Sequence, residues 1–239
     1  MKNTISRRKF IAVTAATGLF NFVPRHVLGA PGQTPPGEKL NIAGIGLGWM
    51  GERNMLSCAE ENIVALCDVD HSHAAKTFKA FPNAVKYTDY RVMLEKQKDI
   101  DAVLIATPDH THAVISKAAM QAGKHVFCQK PLTHDVYEAR MLAKIAKETG
   151  VVTQMGIQGH SQEGIRLICE WIWAGAIGTI SEVDAWCSLS YSPHGHAWWS
   201  SPLSDRPKEG MPVPADLDWD LWIGPAPVRP YHSCYHPMV

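Results

Sequence analysis

The sequence predicts an α/β fold in which a doubly wound parallel sheet carries helices on both faces. Three observations lead to this prediction. Short apolar runs rich in β-branched residues alternate with longer helix-like stretches over residues 38–157. A glycine-rich segment joins the first apolar run to the first helix-like stretch. Gly123 and Gly150 follow two of the predicted helices, where a chain leaves a helix most easily with positive φ.

The predicted elements alternate regularly along the chain. The strands are Leu40–Gly46, Ile63–Cys67, Lys86–Tyr87, Ala102–Ala106, His125–Cys128 and Val151–Met155. The helices are Glu52–Ala59, Ser72–Ala80, Tyr90–Lys96, Thr111–Ala122 and Val136–Thr149. Apart from Lys86–Tyr87, the predicted strands are mainly apolar runs, as is typical of strands buried on both faces of a parallel sheet.

Gly46, Gly48 and Gly51 form a G-x-G-x-x-G pattern where the first strand meets the first helix. Gly46 allows a tight turn, Gly48 lets the backbone approach a pyrophosphate, and Gly51 lets the helix pack closely on the strand. Trp49 and Met50 lie at the start of this helix, whose N–H groups attract an anion. The pattern predicts a Rossmann-type turn that binds a dinucleotide.

Asp68 follows the second strand, 22 residues after Gly46. An acid at about this spacing accepts hydrogen bonds from the adenosine ribose in dinucleotide-binding folds. Because a carboxylate also repels the 2′-phosphate of NADP, and no Arg or Lys lies between Asp68 and Ala75, NAD is favoured over NADP. Asp70 is a second candidate for the ribose, or a cap for the following helix.

Candidate binding residues follow the last three predicted strands, and ligands bind at the carboxyl ends of strands in such sheets. These candidates are Thr107, Pro108, His110 and His112 after one strand, Gln129 and Lys130 after the next, and Gln158 after the last. Lys130 is the candidate catalytic residue, because hydride transfer from a carbinol to nicotinamide requires a group that takes or relays the hydroxyl proton. Lysine is ordinarily protonated at neutral pH, so this role requires burial or a neighbouring positive charge. The alternative is that Lys130 only orients a ribose or substrate oxygen.

The glycine pattern, Ala-Thr-Pro-Asp-His-Thr-His at 106–112 and Cys-Gln-Lys-Pro at 128–131 together resemble the Gfo/Idh/MocA family. The resemblance implies an NAD(P)-dependent oxidoreductase that acts on a sugar, a polyol or a related carbinol. It implies that the 107–112 loop lies along the cofactor and that Lys130 lies between the nicotinamide and the substrate hydroxyl. The family usually has Glu where this chain has Gln129, which keeps hydrogen bonding but removes a charge beside Lys130.

Residues 158–239 are expected to begin a substrate and oligomerisation domain, α+β with a mainly antiparallel open sheet. Gly164–Trp173 predicts a helix, and alternating apolar residues in Ile180–Leu189 predict a long strand. The resemblance implies that this domain is incomplete, that the chain is truncated at its C-terminus, and that the full-length protein is a homo-oligomer.

Gln158, Trp198 and Trp199 are candidate substrate contacts. The two indole rings could stack on a sugar, although neighbouring aromatic residues more commonly serve packing. No metal is predicted, because His110 and His112, two positions apart, do not share a helix face.

Residues 1–30 predict a twin-arginine export signal. Arg7 and Arg8 precede the apolar stretch from Ile11 to Val23, and small residues near Ala30 suit signal peptidase. The stretch is shorter than the about 20 residues of a membrane span, so no stable anchor is expected after cleavage. Residues 31–37, rich in Pro and Gly, predict a linker. We therefore expect a periplasmic or secreted protein that uses the twin-arginine export machinery.

Export has a consequence for the reaction, because the periplasm holds no pool of NAD. The cofactor should stay tightly bound and be regenerated in place, by reduction of a second substrate. One alternative is a redox-neutral NAD-dependent glycosidase, in which the hydride returns to the sugar. A second alternative is a truncated chain that binds nucleotide without catalysis.

The composition excludes one class of partner. Lys and Arg together number 23, as do Asp and Glu, so the formal net charge is zero, and no basic run follows the export signal. Binding to the nucleic-acid backbone requires a basic face. The expected partner is therefore a small sugar or polyol and not a nucleic acid.

Overall fold

The computed structural model describes residues 35–186 and 205–235. The described residues from Leu40 onwards belong to one compact unit. The predicted export signal lies outside the described residues. At the end of the predicted linker, Pro36–Glu38 form a single turn of 3-10 helix.

Six parallel strands form one sheet in the order β3-β2-β1-β4-β5-β6. They are β1 (Asn41–Ile45), β2 (Asn62–Cys67), β3 (Val85–Tyr87), β4 (Ala102–Ile105), β5 (His125–Gln129) and β6 (Thr153–Gly156). The strand order reverses direction between β1 and β4, and a ligand crevice forms at such a switch point. The predicted doubly wound α/β fold is confirmed, and every predicted strand of this sheet is present.

Five helices connect these strands. They are α1 (Met50–Ser57), α2 (Ala75–Ala80), α3 (Tyr90–Lys96), α4 (His112–Gln121) and α5 (Val136–Thr149). The side chains of Asp89 and Asp135 cap α3 and α5 by accepting hydrogen bonds from first-turn N–H groups, each at 2.8 Å. Gly123 and Gly150 follow α4 and α5 with φ of 74° and 70°, as predicted.

Apolar side chains cover both faces of the sheet. On one face β1 and β4 pack against α3, α4 and α5, and the central residues are Ile45, Ile105, Met93, Ile115 and Leu142. On the other face β2 and β4 pack against α1 and α2, and the central residues are Leu66, Leu104, Met55 and Phe78. Burial on both faces explains why the inner strands are mainly apolar, whereas the edge strands β3 and β6 carry exposed polar residues. It also fixes the strand ends that carry the polar residues.

Within described residues 158–186 and 205–235, two α-helices follow the sheet, α6 (Glu163–Trp173) and α7 (Trp219–Ile223). The α6 helix forms where predicted, but none of its residues is buried, and Trp171 and Trp173 are 58% and 82% exposed. No helix in the described residues has the length and apolar character needed to cross a membrane.

The predicted strand Ile180–Leu189 is wrong for the part that the structure describes. Residues 180–186 are exposed and form no strand, and residues 187–189 lie outside the described residues. A strand requires a neighbour to satisfy its backbone N–H and C=O groups, and no described strand pairs with this segment. The expected antiparallel sheet is therefore absent from described residues 158–186 and 205–235. Their antiparallel pairing is limited to an isolated bridge between Asp70 and Leu217.

Candidate dinucleotide site

A groove of about 1370 Å³ follows the carboxyl ends of β1, β2, β4 and β5. Ordinary small-molecule pockets measure about 300–1,000 Å³, so this groove has room for a dinucleotide. A smaller and more open depression of about 490 Å³ lies at the start of α5, away from these strand ends. The strand-end groove is therefore the candidate site.

Gly46 and Gly51 allow β1, α1 and β4 to approach one another. Gly46 has φ of 78°, and a Cβ there would lie 2.7 Å from backbone atoms of Ala106 and Thr107. A Cβ on Gly51 would collide with the carbonyl oxygen of Gly46. Both glycines are thus explained by backbone contacts that no other residue permits.

Gly48 gives space to a residue that the sequence analysis missed. A Cβ on Gly48 would collide with the imidazole of His73, and both residues line the groove. His73 carries no separate sequence signal, because its approach depends on the turn after β2. The predicted contact of Gly48 with a pyrophosphate stays a prediction.

Trp49 has an unusual backbone for a residue with a side chain. Its φ is 29°, in the left-handed region, and such a conformation costs of order 1–3 kcal/mol. Trp49 is the residue before α1, is 43% exposed, and lines the groove with Met50. Strain of this kind concentrates at binding sites, which supports a functional role for the turn.

Asp68 holds the glycine-rich turn as well as lining the groove. Its Oδ2 accepts a hydrogen bond from the N–H of Leu47 at 2.6 Å, and its Oδ1 accepts one from the N–H of Asp70 at 2.9 Å. A carboxylate has about four acceptor positions, so about two remain for a ribose. Burial raises the pKa of Asp68, and the two N–H groups and His73 partly oppose this rise.

Asp70 holds the turn that follows β2. The residue is 3% exposed, and its Oδ1 accepts hydrogen bonds from the hydroxyl of Ser72 at 2.7 Å and the N–H of His73 at 2.9 Å. These bonds lie before α2, which has no side-chain cap, so Asp70 does not cap this helix; it also lines the groove, and its contact with a ribose stays a prediction. The hydroxyl of Thr77, on α2, donates to the carbonyl of Leu47 at 2.7 Å and further fixes the turn.

His112 connects the loop after β4 to the loop after β5. Its Nδ1 lies 2.6 Å from the carbonyl oxygen of Pro131, its Nε2 lies 2.8 Å from that of Thr107, and the residue is 1% exposed. Which ring nitrogen donates its N–H depends on the tautomer of the ring. His112 therefore fixes the position of Pro131, which follows Lys130 through a cis peptide bond.

His110 takes a different position from the one expected. Its Nε2 lies 2.9 Å from the carbonyl oxygen of Trp222, and the two rings are 5.2 Å apart. Thr107 and Pro108 line the groove, and the Thr107 hydroxyl accepts a hydrogen bond from that of Thr111 at 2.8 Å. The contact with Trp222 joins residues far apart in sequence and has no local signal.

The end of the groove at β5 contains Gln129, Lys130 and Gln158. Gln129 is 6% exposed and packs against Gly156, where a Cβ would lie 3.0 Å from its amide. Nε2 of Gln158 lies 3.4 Å from Oε1 of Gln129. Lys130 is exposed. The described side chains therefore do not supply the burial that would favour its predicted role.

One side chain in the groove has a donor with no acceptor. Nδ2 of Asn54, on α1, is buried and has no hydrogen-bond partner among the described residues. A buried donor left unpaired costs about 1–3 kcal/mol, which a cofactor oxygen would recover. This donor, the glycine turn and Asp68 fit a dinucleotide.

The described residues contain no group of three side chains suited to a metal. Trp198 and Trp199, the other candidate substrate contacts, lie outside the described residues.

Comparison with known proteins relates this domain to a family. Residues 40–157 match the Gfo/Idh/MocA model, described as an oxidoreductase family with an NAD-binding Rossmann fold. The parallel sheet and its flanking helices are therefore similar to the NAD-binding domain of that family. NAD, favoured by Asp68 in the sequence, is confirmed as the cofactor of the family.

Similar proteins include several dehydrogenases. Levoglucosan dehydrogenase of Pseudarthrobacter phenanthrenivorans is 29% identical over 154 residues, which are 60% of this chain and 39% of that protein. Inositol 2-dehydrogenase of Serratia proteamaculans is 31% identical over 144 residues, 58% of this chain and 43% of that one. The crystal structure of myo-inositol 2-dehydrogenase from Lactobacillus plantarum has a TM-score of 0.56 at 30% identity, covering 60% and 43%. The aligned region thus spans about two fifths of these relatives.

Proposed function

We propose that this chain carries the cofactor-binding part of an NAD-dependent oxidoreductase that acts on a sugar, a polyol or a related carbinol. One observation carries the proposal: the glycine-rich turn, Asp68 and Lys130 line a single continuous groove. The relatives support the substrate class, since their names refer to levoglucosan and inositol. Both compounds are cyclic and carry several hydroxyl groups.

The residues of the groove divide the task between binding and proton transfer. The turn from Gly46 to Gly51 receives the diphosphate, and Asp68 accepts hydrogen bonds from the adenosine ribose. When bound, NAD supplies the hydride acceptor for the carbinol carbon. As the C–H bond breaks with its electron pair, the hydroxyl proton moves to Nζ of Lys130 and a carbonyl group forms.

Two further side chains support Lys130 in this proposal. Gln129 is buried beside it and keeps a hydrogen-bonding group directed at the same end of the groove. His112 fixes Pro131 through its 2.6 Å contact and thereby limits the positions of the Lys130 backbone. Turnover requires an unprotonated Lys130, so a group that shields it from water or places positive charge beside it must act during the reaction.

The test replaces Lys130 with methionine, which keeps side-chain length and removes the proton acceptor. NADH binding, followed by fluorescence, should change by less than about twofold, whereas oxidation of myo-inositol or levoglucosan should fall by about 10²- to 10⁴-fold. Lys117→Met, an exposed position on α4, is the matched control and should retain turnover. Near-normal turnover by Lys130→Met would remove Lys130 from the chemistry.

The purified wild-type protein distinguishes the alternative reactions. It is incubated with a chromogenic glycoside and no added NAD while NADH absorbance is recorded. Release of the chromophore without net NADH would favour the redox-neutral glycosidase. Tightly bound NAD recovered by mass spectrometry, with no turnover of any substrate, would favour a chain that binds nucleotide without catalysis.

We also propose that residues 1–30 direct export and that the cofactor stays bound during it. Replacing Arg7 and Arg8 with lysine should retain the protein in the cytoplasm, since twin-arginine recognition depends on both. Intact mass of the exported protein should show loss of about 30 residues. The proposed homo-oligomer is tested separately by sedimentation.

A further inference from the structure

Residues 216–224, here called the strap, attach to the loop that follows β2. The N–H of His71 donates to the carbonyl of Asp216 at 3.0 Å, and the N–H of Asp218 donates to that of Val69 at 2.8 Å. These two bonds form an antiparallel bridge between Asp70 and Leu217. The strap is therefore tied to the residues immediately beyond Asp68, the predicted ribose acceptor.

The other end of the strap attaches to the loop that follows β4. The carbonyl of Trp222 lies 2.9 Å from Nε2 of His110, and the two rings pack at 5.2 Å. A Cβ on Gly224 would lie 3.2 Å from the methyl group of Thr111, so the backbone passes close to this loop. The strap thus spans from the end of β2 to the end of β4.

Apolar burial and stacking hold the strap in one conformation. Leu217 and Ile223 are 6% and 4% exposed. The rings of Trp219 and Trp222 stack at 4.8 Å, and the indole N–H of Trp219 donates to the carbonyl of Arg229 at 2.9 Å. Such contacts are typical of a well-ordered segment and not of a mobile surface loop.

Four strap residues, Asp220, Leu221, Trp222 and Gly224, line the groove. The acid after β2 marks the adenosine end of a dinucleotide site. We propose that the strap is the outer wall of the adenosine subsite and that it retains the bound dinucleotide. This inference rests on the proposed function. It assigns Leu221 and Trp222 as cofactor contacts and His110 as a positioning residue that holds Trp222.

Retention follows from where the strap is attached. A dinucleotide between the strap and the sheet can leave only if the strap separates from at least one of its two loops. Separation at the β2 loop breaks two main-chain hydrogen bonds and exposes Leu217. Release should therefore be slow, as an enzyme that regenerates its cofactor in place requires.

The test uses Asp218→Pro, because proline removes the N–H that donates to Val69 and also the side-chain cap on Leu221 at 3.0 Å. Its φ of −85° is close to the range of proline. NADH release is measured by stopped-flow fluorescence after displacement with excess NAD⁺. Release should accelerate about tenfold or more. Asp218→Asn, which keeps the N–H and a capping oxygen, should release NADH more slowly than Asp218→Pro.

Glu182→Pro, in the exposed segment 180–186, is the matched proline control and should release NADH at the wild-type rate. Equal release rates for Asp218→Pro and the wild type would overturn the strap proposal and leave the proposed function intact. Absence of NADH binding by the wild type would overturn both.

Hydrogen exchange on the wild-type protein provides a measurement that does not depend on a variant folding. Saturating NADH should slow amide exchange in residues 216–224 and at His71, because the ligand stabilises the docked strap. Unchanged exchange in these residues, with slowed exchange in the glycine-rich turn, would show that the dinucleotide binds without contacting the strap.

Discussion

The two ends of the groove differ in how they are enclosed. At the adenosine end Asp68 is 9% exposed, its oxygens accept two backbone hydrogen bonds, and the strap lies outside it. At the other end Lys130 and Gln158 are exposed. The difference teaches that the Asp68 end is already enclosed, whereas under the proposed function the Lys130 end needs further shielding from water before proton transfer is efficient.

The largest effect on NADH affinity is expected from a change that breaks the glycine-rich turn. A valine at Gly51 would collide with the carbonyl oxygen of Gly46 and push α1 away from β1. Because overpacking a rigid site costs about 1–3 kcal/mol, NADH affinity should fall up to about 100-fold. Gly159→Ala, which meets nothing within 4 Å, is the control. Fluorescence titration measures both, and unchanged binding by Gly51→Val would refute the role of this close approach.

An intermediate effect is expected at Asp68. In the wild type the Asp68 carboxylate accepts hydrogen bonds from two backbone N–H groups. In Asp68→Asn the side-chain NH₂ faces one of these N–H groups, so one buried donor loses its acceptor. Such a loss costs about 1–3 kcal/mol, and NADH affinity should fall about tenfold. Asp184→Asn, at an exposed position, should bind as the wild type does. If Asp68→Asn also binds normally, the adenosine end does not depend on this acid.

The same pair of proteins tests the sign of a pH effect. Burial raises the pKa of Asp68 above its ordinary value of 3.8. Its contribution to the free energy of unfolding is therefore greatest below 3.8 and is lost as pH rises through the folded-state pKa. Urea unfolding at several pH values should show the wild type losing stability relative to Asp68→Asn from acid towards neutral pH. The opposite trend would mean that the two backbone N–H groups outweigh burial.

The smallest effect on affinity is expected at His112, which acts on the Lys130 end. His112→Phe keeps a ring and loses both contacts with the carbonyls of Thr107 and Pro131. NADH affinity should change less than about threefold, while kcat falls about tenfold with little change in KM. The exposed His134→Phe is the control. Equal losses in affinity and kcat would indicate a purely structural role.

The sequence was sufficient for features that depend on neighbouring residues. Apolar runs predicted five of the six strands, because strands buried on both faces have no polar alternation. The glycine spacing and Asp68 were placed together because both follow strand ends of one sheet. Asp70 was open between two roles, and in the structure its side chain holds the turn before α2 without capping that helix.

The remaining features depend on contacts between distant segments, which leave no local pattern. The bond from Asp218 to Val69 joins residues about 150 positions apart, and His112 joins two different loops. Alternation in 180–189 predicted a strand, but a strand forms only where a partner edge is available. Exposure of Lys130 was missed for the same reason, since burial depends on what packs above a residue.

Asp68 has a consequence for changing cofactor preference. Engineers who want a domain to accept NADP commonly remove the acid that meets the extra phosphate. Here the same carboxylate accepts a hydrogen bond from the N–H of Leu47, so its removal releases the glycine-rich turn that is proposed to bind the diphosphate. A successful switch in this chain should therefore require a second substitution that supplies Leu47 with a new acceptor.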